Sequence, residues 1–293
     1  MKNFMKLYFL KSLLLLLACT QKRVTRIGVE VIEKKALVGE INQMDTIKVS
    51  LSSTGSLISG MPFTPIEKAS LTVSNDAGAT INNFIINSEK KWKATKLPAI
   101  KAGELYEIKA VAEGEKLSAV ARIPLAISSK LIKIEKREKD FLVDVEITNP
   151  NNDRALCIIG LLSKEFYIND IGAVINEKKY KRIPVSTADE NTDNVKYSEI
   201  RLPYDRIFIP LEKKSTKILR MYVEEFFIDS YNVNYFLWVK SLDSKYYKYM
   251  YNYKLQEEQY AFEDNFTVPL EGNITGGLGV WGACYKVEIP VTF

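Results

Sequence analysis

The sequence predicts a mainly β protein, built as two consecutive β-sandwich units of immunoglobulin-like type with one helix in the C-terminal region. From Val24 onward, apolar and polar residues mostly alternate with a period of two, in segments rich in β-branched and aromatic residues. Turn signals separate these segments at intervals of about ten residues, as in sandwich proteins. A single segment has the spacing of an amphipathic helix instead.

The first sandwich is predicted over residues 27–125. Ile47, Val49 and Leu51 share one strand face, and a later strand runs into the turn signal at residues 75–78, Asn-Asp-Ala-Gly. Further strands follow around Trp92 and toward Ile123. Because proline cannot donate a hydrogen bond to a neighbouring strand, Pro124 is expected to end the unit.

The second unit is predicted over residues 126–293. A strand pair turns at residues 139–140, and a strong turn signal at 149–153 precedes the apolar run that contains Cys157. Long strands are expected over residues 215–227 and 232–240.

The predicted helix covers about residues 242–258. Four side chains spaced three or four apart form one apolar and aromatic stripe, with Ser244 as the expected N-cap; they are Tyr246, Tyr249, Met250 and Tyr253. Such a stripe suits a sugar-stacking platform or packing against a sheet. We favour packing, since tyrosine buries its ring and leaves its hydroxyl in water.

The N-terminal segment has the pattern of a secretory signal. Lys2, Lys6 and Lys11 precede a leucine-rich run that ends directly before Cys19. Residues 16–19, Leu-Leu-Ala-Cys, resemble the bacterial lipobox, which implies that residues 1–18 are removed and that Cys19 carries acyl chains such as palmitate. Residues 19–26 would then be a lipidated tether. The alternative is an ordinary signal peptide that happens to contain a cysteine.

Charge and composition exclude several function classes. The chain has 41 basic and 36 acidic residues, but three of the lysines lie in the predicted signal, so the mature balance is +2. This balance gives no reason to expect nucleic-acid binding. The absence of histidine excludes histidine-dependent nucleophile systems and histidine-ligated metal sites.

Two cysteines, Cys157 and Cys284, follow the predicted lipidation site. An exported chain permits one disulfide between them. Because Cys157 lies in an apolar run, two buried free thiols are the alternative.

No catalytic constellation, metal site or cofactor site is predicted. The acid pairs Asp140 with Asp144 and Glu224 with Glu225 are nominal candidates for glycoside hydrolysis, but each lies in a pattern typical of solvated acids. The acidic stretch 189–193 is a nominal calcium ligand set, and a polar loop is the preferred interpretation because the spacing and the glycine of a calcium loop are missing.

A glycine-rich segment near the C-terminus is the most specific feature. Its marked residues are Asn273, Gly276, Gly277, Gly279, Trp281 and Gly282. With the upstream element Tyr-Tyr-Lys-Tyr at residues 246–249 and the lipobox, it resembles the Bacteroidota lipoprotein family of domain of unknown function 4249. The segment is either a contact surface or the bend that lets the last strand close a sheet, and we favour the bend.

The resemblance implies a cell-envelope lipoprotein associated with TonB-dependent nutrient uptake, and it assigns no catalytic residue. We therefore expect a non-enzymatic binding or accessory module, anchored to the outer membrane by its N-terminal lipid, with a TonB-dependent receptor complex as partner. A carbohydrate binder or a carboxylate-based carbohydrate-active enzyme is the alternative. A structural or adhesion component is a third reading. The resemblance also implies that surface export in this phylum goes with a short acidic stretch after the lipidated cysteine, and residues 20–24, Thr-Gln-Lys-Arg-Val, contain none. Attachment facing the periplasm is therefore expected rather than surface exposure.

Overall fold

The computed structural model describes residues 33–54, 63–95, 99–168, 174–187, 205–228, 233–261 and 270–293. The predicted signal, Cys19, the tether 19–26 and the acidic stretch 189–193 lie outside these residues.

The described residues are mainly β, as predicted. Alternation of side chains along a strand places every second residue on the buried face, as in the strand Leu105–Ala112. The strands are β1 Lys35–Ile41, β2 Lys48–Thr54, β3 Phe63–Pro65, β4 Ala69–Asn75, β5 Thr80–Ile81, β6 Phe84–Ile86, β7 Trp92–Ala94, β8 Leu105–Ala112, β9 Glu115–Arg122, β10 Ser128–Lys136, β11 Asp140–Asn149, β12 Ala155–Ile168, β13 Val174–Ile183, β14 Ser186–Thr187, β15 Ile207–Leu211, β16 Ser215–Glu224, β17 Val233–Leu242 and β18 Leu278–Val291.

These strands form three sheets. The largest has ten strands in the order β13-β12-β17-β18-β1-β2-β7-β6, with β15 beside β12 and β3 beside β2. One four-stranded sheet has the order β5-β4-β8-β9, and the other has the order β10-β11-β16-β14. Most paired strands are antiparallel, but β1 and β18 run parallel.

Three hydrophobic clusters lie against the ten-stranded sheet, and the two larger ones are its main cores. The first is built mainly from β1 to β9 and includes Leu37, Ile108 and Leu117. The second is built mainly from β10 to β17 and includes Val145 and Leu237. The division into units at 125/126 and their immunoglobulin-like type stay predictions.

The last strand, β18, contributes to both cores. Its first half pairs with β1 and places Trp281 and Ala283 in the first core. Its second half pairs with β17 and places Val291 in the second core. The C-terminal strand therefore completes a core that is otherwise formed by residues far earlier in the chain.

One α-helix, α1, spans Ser244–Ala261 in the described part of the chain. A short 3-10 helix covers Glu225–Phe227. Tyr246 and Tyr247 are buried against the ten-stranded sheet, whereas Tyr253 of the predicted stripe is 40% exposed. None of the helices described is long and apolar enough to cross a membrane.

Candidate functional site

The glycine segment, residues 273–282, leads into β18 and includes the first five residues of that strand. Thr275 and Ser118 of β9 exchange two backbone hydrogen bonds, of 2.8 and 3.1 Å. Asn273 then closes a loop, because its side-chain oxygen accepts from the Trp281 backbone N–H and its amide donates to the Trp281 carbonyl, both at 2.8 Å. Trp281 itself is fully buried, and its indole donates to the Tyr106 carbonyl.

Two glycines show why side chains are not tolerated here. Gly276 has φ +84°, and a Cβ on it would lie 2.2 Å from the Lys116 carbonyl oxygen. A Cβ on Gly282 would lie 2.3 Å from the Tyr246 ring, so the helix packs directly on bare strand backbone. A Cβ on Gly277 would lie 2.5 Å from the Lys35 carbonyl oxygen of β1, and one on Gly279 would lie 2.1 Å from that of Leu37.

The start of α1 corrects one sequence-based expectation. Asp243, not Ser244, is the N-cap: its Oδ1 accepts from the N–H groups of Lys245 and Tyr246 at 3.1 and 3.0 Å. Its Oδ2 accepts from the Ala283 N–H at 2.8 Å. The cap therefore also ties the helix to β18, which a pattern within the helix does not reveal.

We expect Asp243→Ala to lower the free energy of unfolding by about 2 kcal/mol, since it removes a helix cap and leaves the Ala283 N–H unpaired. Ser244→Ala is the matched control and is expected to change it by less than ~0.5 kcal/mol. Urea-denaturation midpoints measure both. A larger loss for Ser244→Ala would contradict the capping assignment.

An ion pair lies partly buried beneath the helix. Lys240 on β17 donates to both carboxylate oxygens of Glu40 on β1, at 2.6 and 2.8 Å. The Tyr246 hydroxyl and the Asn42 amide donate to the same carboxylate. Burial raises the pKa of Glu40, but the charge of Lys240 and these hydrogen bonds outweigh burial and lower it to about 2. This partly buried ion-pair cluster fixes α1 to two strands.

Cys157 and Cys284 are both free and buried, so the disulfide that the sequence permits is not formed in the structure. Cys157 pairs across strands with Ser241, whereas Cys284 pairs with Leu242. Because adjacent residues of β17 point to opposite faces, the two thiols lie on opposite sides of the sheet. Burial raises the pKa of Cys157 to about 12, and burial also raises that of Cys284.

Beside the glycine segment, an apolar groove of about 420 Å³ lies on the sheet face that carries α1. Val38 pairs with Val280, which packs against α1, so both residues share that face. The groove is lined by Ala36, Val38, Ser52, Phe63, Tyr249, Leu270, Gly272, Ile274, Gly277, Leu278 and Gly279.

The groove exposes apolar side chains to water. Val38 and Leu278 are each 43% exposed, and Phe63 is 60% exposed. Among the described residues, its lining includes no charged side chain. A larger hollow of about 750 Å³ near Phe293 instead carries the Lys136–Glu225 ion pair in its lining. A concave apolar surface with few polar groups is typical of ligand sites, so the groove is the candidate site.

The nominated acid pairs do not face each other across a cleft. Asp140 and Asp144 are four residues apart on β11, which is about 13 Å along a strand. The Asp144 carboxylate accepts two hydrogen bonds from Arg220, which lower its pKa, so it is held as a carboxylate rather than as a general acid. Glu225 pairs with Lys136 at 2.7 Å, and Glu224 is exposed.

Metal ligands do not cluster in the part of the chain that is described: it contains no group of three Cys, Asp or Glu side chains placed to hold an ion. Sequence reasoning singled out the glycine segment and the tyrosine helix. It missed Val38 and Phe63 of the groove and the Glu40–Lys240 pair, because no local pattern links residues that are so far apart in the chain.

Comparison with solved structures does not identify the fold. The yeast delta-COP-I mu-homology domain complexed with a Dsl1 WxWxV peptide is 11% identical with a TM-score of 0.20, covering 87% of this chain and 94% of that chain. A structure from Gaeumannomyces graminis and Komagataella pastoris, of manganese lipoxygenase and partial zonadhesin, is 9% identical with a TM-score of 0.22, covering 88% and 93%. Scores this low carry no structural argument.

No curated protein sequence matches this chain significantly. A family model does match, over residues 29–289, and its description is a domain of unknown function, DUF4249. The match spans the glycine segment, the tyrosine helix and nearly all of the described strands. The chain therefore belongs to the DUF4249 family.

Proposed function

We propose that this protein is a lipid-anchored, non-enzymatic binding module of the bacterial cell envelope. The observation that carries the binding role is the apolar groove, where exposed valine, leucine and phenylalanine side chains surround a concave surface without charge. The ion pairing of Asp144 and Glu225 supports a binding role over acid-base chemistry.

The anchoring part of the proposal rests on the sequence. The basic start, the apolar run and the residues Leu-Leu-Ala-Cys at 16–19 support removal of residues 1–18 and acylation of Cys19. Two or three acyl chains hold a protein to a bilayer almost permanently, since each buried methylene contributes about 0.8 kcal/mol. The outer membrane, with the protein facing the periplasm, is the proposed location.

The partner in this proposal is a TonB-dependent receptor complex engaged in nutrient uptake, and family resemblance supports it. Affinity purification of the full chain from solubilised membranes, followed by mass spectrometry, is the test. Recovery of a receptor component with the wild-type chain is the expected result. Repeated purification without one would overturn this partner.

We expect cells that produce the wild-type chain to incorporate labelled palmitate into it and to retain it in the outer-membrane fraction. Cys19→Ala should lose the label and leave an uncleaved or released form, because the acyl acceptor is gone. Cys157→Ala is the matched control and should keep the label, since that thiol is buried. Labelling that persists in Cys19→Ala would contradict acylation at Cys19.

A further inference from the structure

We propose that the groove binds the hydrocarbon chain of a long-chain fatty acid, with the carboxylate at the end of the groove marked by Lys248. The inference rests on the proposed binding role and names the class of ligand. It follows from three features: an uncharged lining, a floor whose backbone hydrogen bonds are already formed, and a cation at the rim.

The lining suits a hydrocarbon. Its polar side-chain atoms are the hydroxyls of Ser52 and Tyr249, and its other side chains are aliphatic or aromatic. Val38, Leu278 and Phe63 are substantially exposed. Covering them removes apolar surface from water on both sides of the contact, which is the driving force for binding an acyl chain.

The floor disfavours a peptide. Ala36 of β1 lies between Leu278 of β18 and Ser52 of β2, and Val38 likewise has strand partners on both sides. β1, at the centre of the floor, is therefore hydrogen-bonded to a strand on each side and offers no open edge to an added strand. On the other edge of β18, the backbone N–H and C=O of Trp281 are already bonded to the Asn273 side chain. A peptide laid across them would bury its own N–H and C=O groups without partners, whereas a hydrocarbon chain has no such groups.

The rim supplies a cation for the head group. Lys248 precedes the lining residue Tyr249, and Glu271 lies between the lining residues Leu270 and Gly272. Lys248 and Glu271 form an ion pair with both side chains more than half exposed. Because exposed ion pairs are weak, a ligand carboxylate can replace Glu271 as the partner of Lys248.

The test uses the mature chain, residues 19–293, carrying Cys19→Ser so that neither attached lipid nor detergent competes for the groove. The probe is cis-parinaric acid, whose fluorescence rises in an apolar site, and palmitate is the competitor. We expect saturable probe binding that palmitate reverses. Octanoate should compete at least tenfold more weakly, because it covers less of the groove.

Two valines provide matched variants. Val38 in the groove and Val111 on β8 are both strand residues that are 43% exposed, and Val111 is outside the groove lining. Val38→Lys should weaken probe binding at least tenfold, because it places a charge in the apolar floor. The probe affinity of Val111→Lys should stay within twofold of that of the parent. Lys248→Ala should weaken the binding of palmitate several-fold and leave the binding of hexadecanol, which has no carboxylate, unchanged. This comparison tests the head-group assignment.

Several results would overturn the ligand assignment: absence of saturable probe binding, equal binding by Val38→Lys and the parent, or a change in oligomeric state on sedimentation of Val38→Lys in place of a binding loss. The last result would identify the groove as a contact between copies. Each leaves palmitate labelling and receptor co-purification untouched, so failure of this inference is distinguishable from failure of the proposed anchor and partner.

Discussion

Gly276→Ala is expected to destabilise the protein severely, by about 3–5 kcal/mol in the free energy of unfolding. At φ +84° an L-residue is strained, and the new Cβ would lie 2.2 Å from the Lys116 carbonyl oxygen. Neither backbone can move freely, because Thr275 and Ser118 hold the two segments together through paired hydrogen bonds. Urea denaturation followed by circular dichroism measures the loss.

Gly78→Ala is the matched control for this substitution. Gly78 has φ +83°, almost the same as Gly276, but nothing lies within 4 Å of a Cβ built on it. The conformational strain is therefore the same and the steric conflict is missing, so we expect a loss of only about 1–2 kcal/mol. Equal losses in the two variants would show that the close approach at Gly276 does not matter.

Lys240→Met should lower the free energy of unfolding by about 3–5 kcal/mol at neutral pH, because it leaves the Glu40 carboxylate partly buried without its cation. Lys90→Met is the matched control. Lys90 and Glu67 have the same 2.6 Å separation as Lys240 and Glu40, but their side chains are each 54% exposed, against 18% and 23%. Exposed pairs contribute about 0–1 kcal/mol, so the control should change little.

Acidic pH should reduce the difference in the free energy of unfolding between the wild type and Lys240→Met. In the folded wild type, the pKa of Glu40 is about 2, below the ordinary value of 4.5. Its contribution to stability is therefore present above pH 4.5 and is lost as the pH falls toward 2. In the variant, Lys240 no longer offsets the effect of burial, so the pKa of Glu40 is higher than in the wild type. Protonation of Glu40 at acidic pH then removes the unpaired charge. The urea midpoints of the two proteins measure this. A difference between them that is the same at neutral and at acidic pH would contradict this account.

Local patterns in the sequence predicted much of the fold. The turn at residues 75–78 forms with the Gly78 N–H donating to the Asn75 carbonyl, as Asx and glycine chemistry favours. The helix expected at about 242–258 is found at Ser244–Ala261. The sequence pattern predicts Ser244 rather than Asp243 as its cap, because serine and aspartate are both good caps and the interaction that selects Asp243 comes from Ala283.

The candidate site was only partly predictable. The glycine segment was visible because several glycines within ten residues indicate unusual backbone geometry. The groove has no such local signal, because its floor is formed where residues 36–38 meet residues 277–279. A parallel pairing between the first and last described strands has no sequence signal, since a strand's alternation shows which face is apolar but not which neighbour it joins.

The sequence by itself determined a mainly β chain, one tyrosine-rich helix and, as a prediction, an exported and acylated N-terminus. Each follows from spacing or chemistry within about twenty neighbouring residues. The tertiary structure decided that Cys157 and Cys284 lie on opposite faces of a sheet, that Glu40 meets Lys240, and that the glycine segment adjoins an open apolar groove. These features depend on strand order and register, which arise when distant segments bury their apolar faces together.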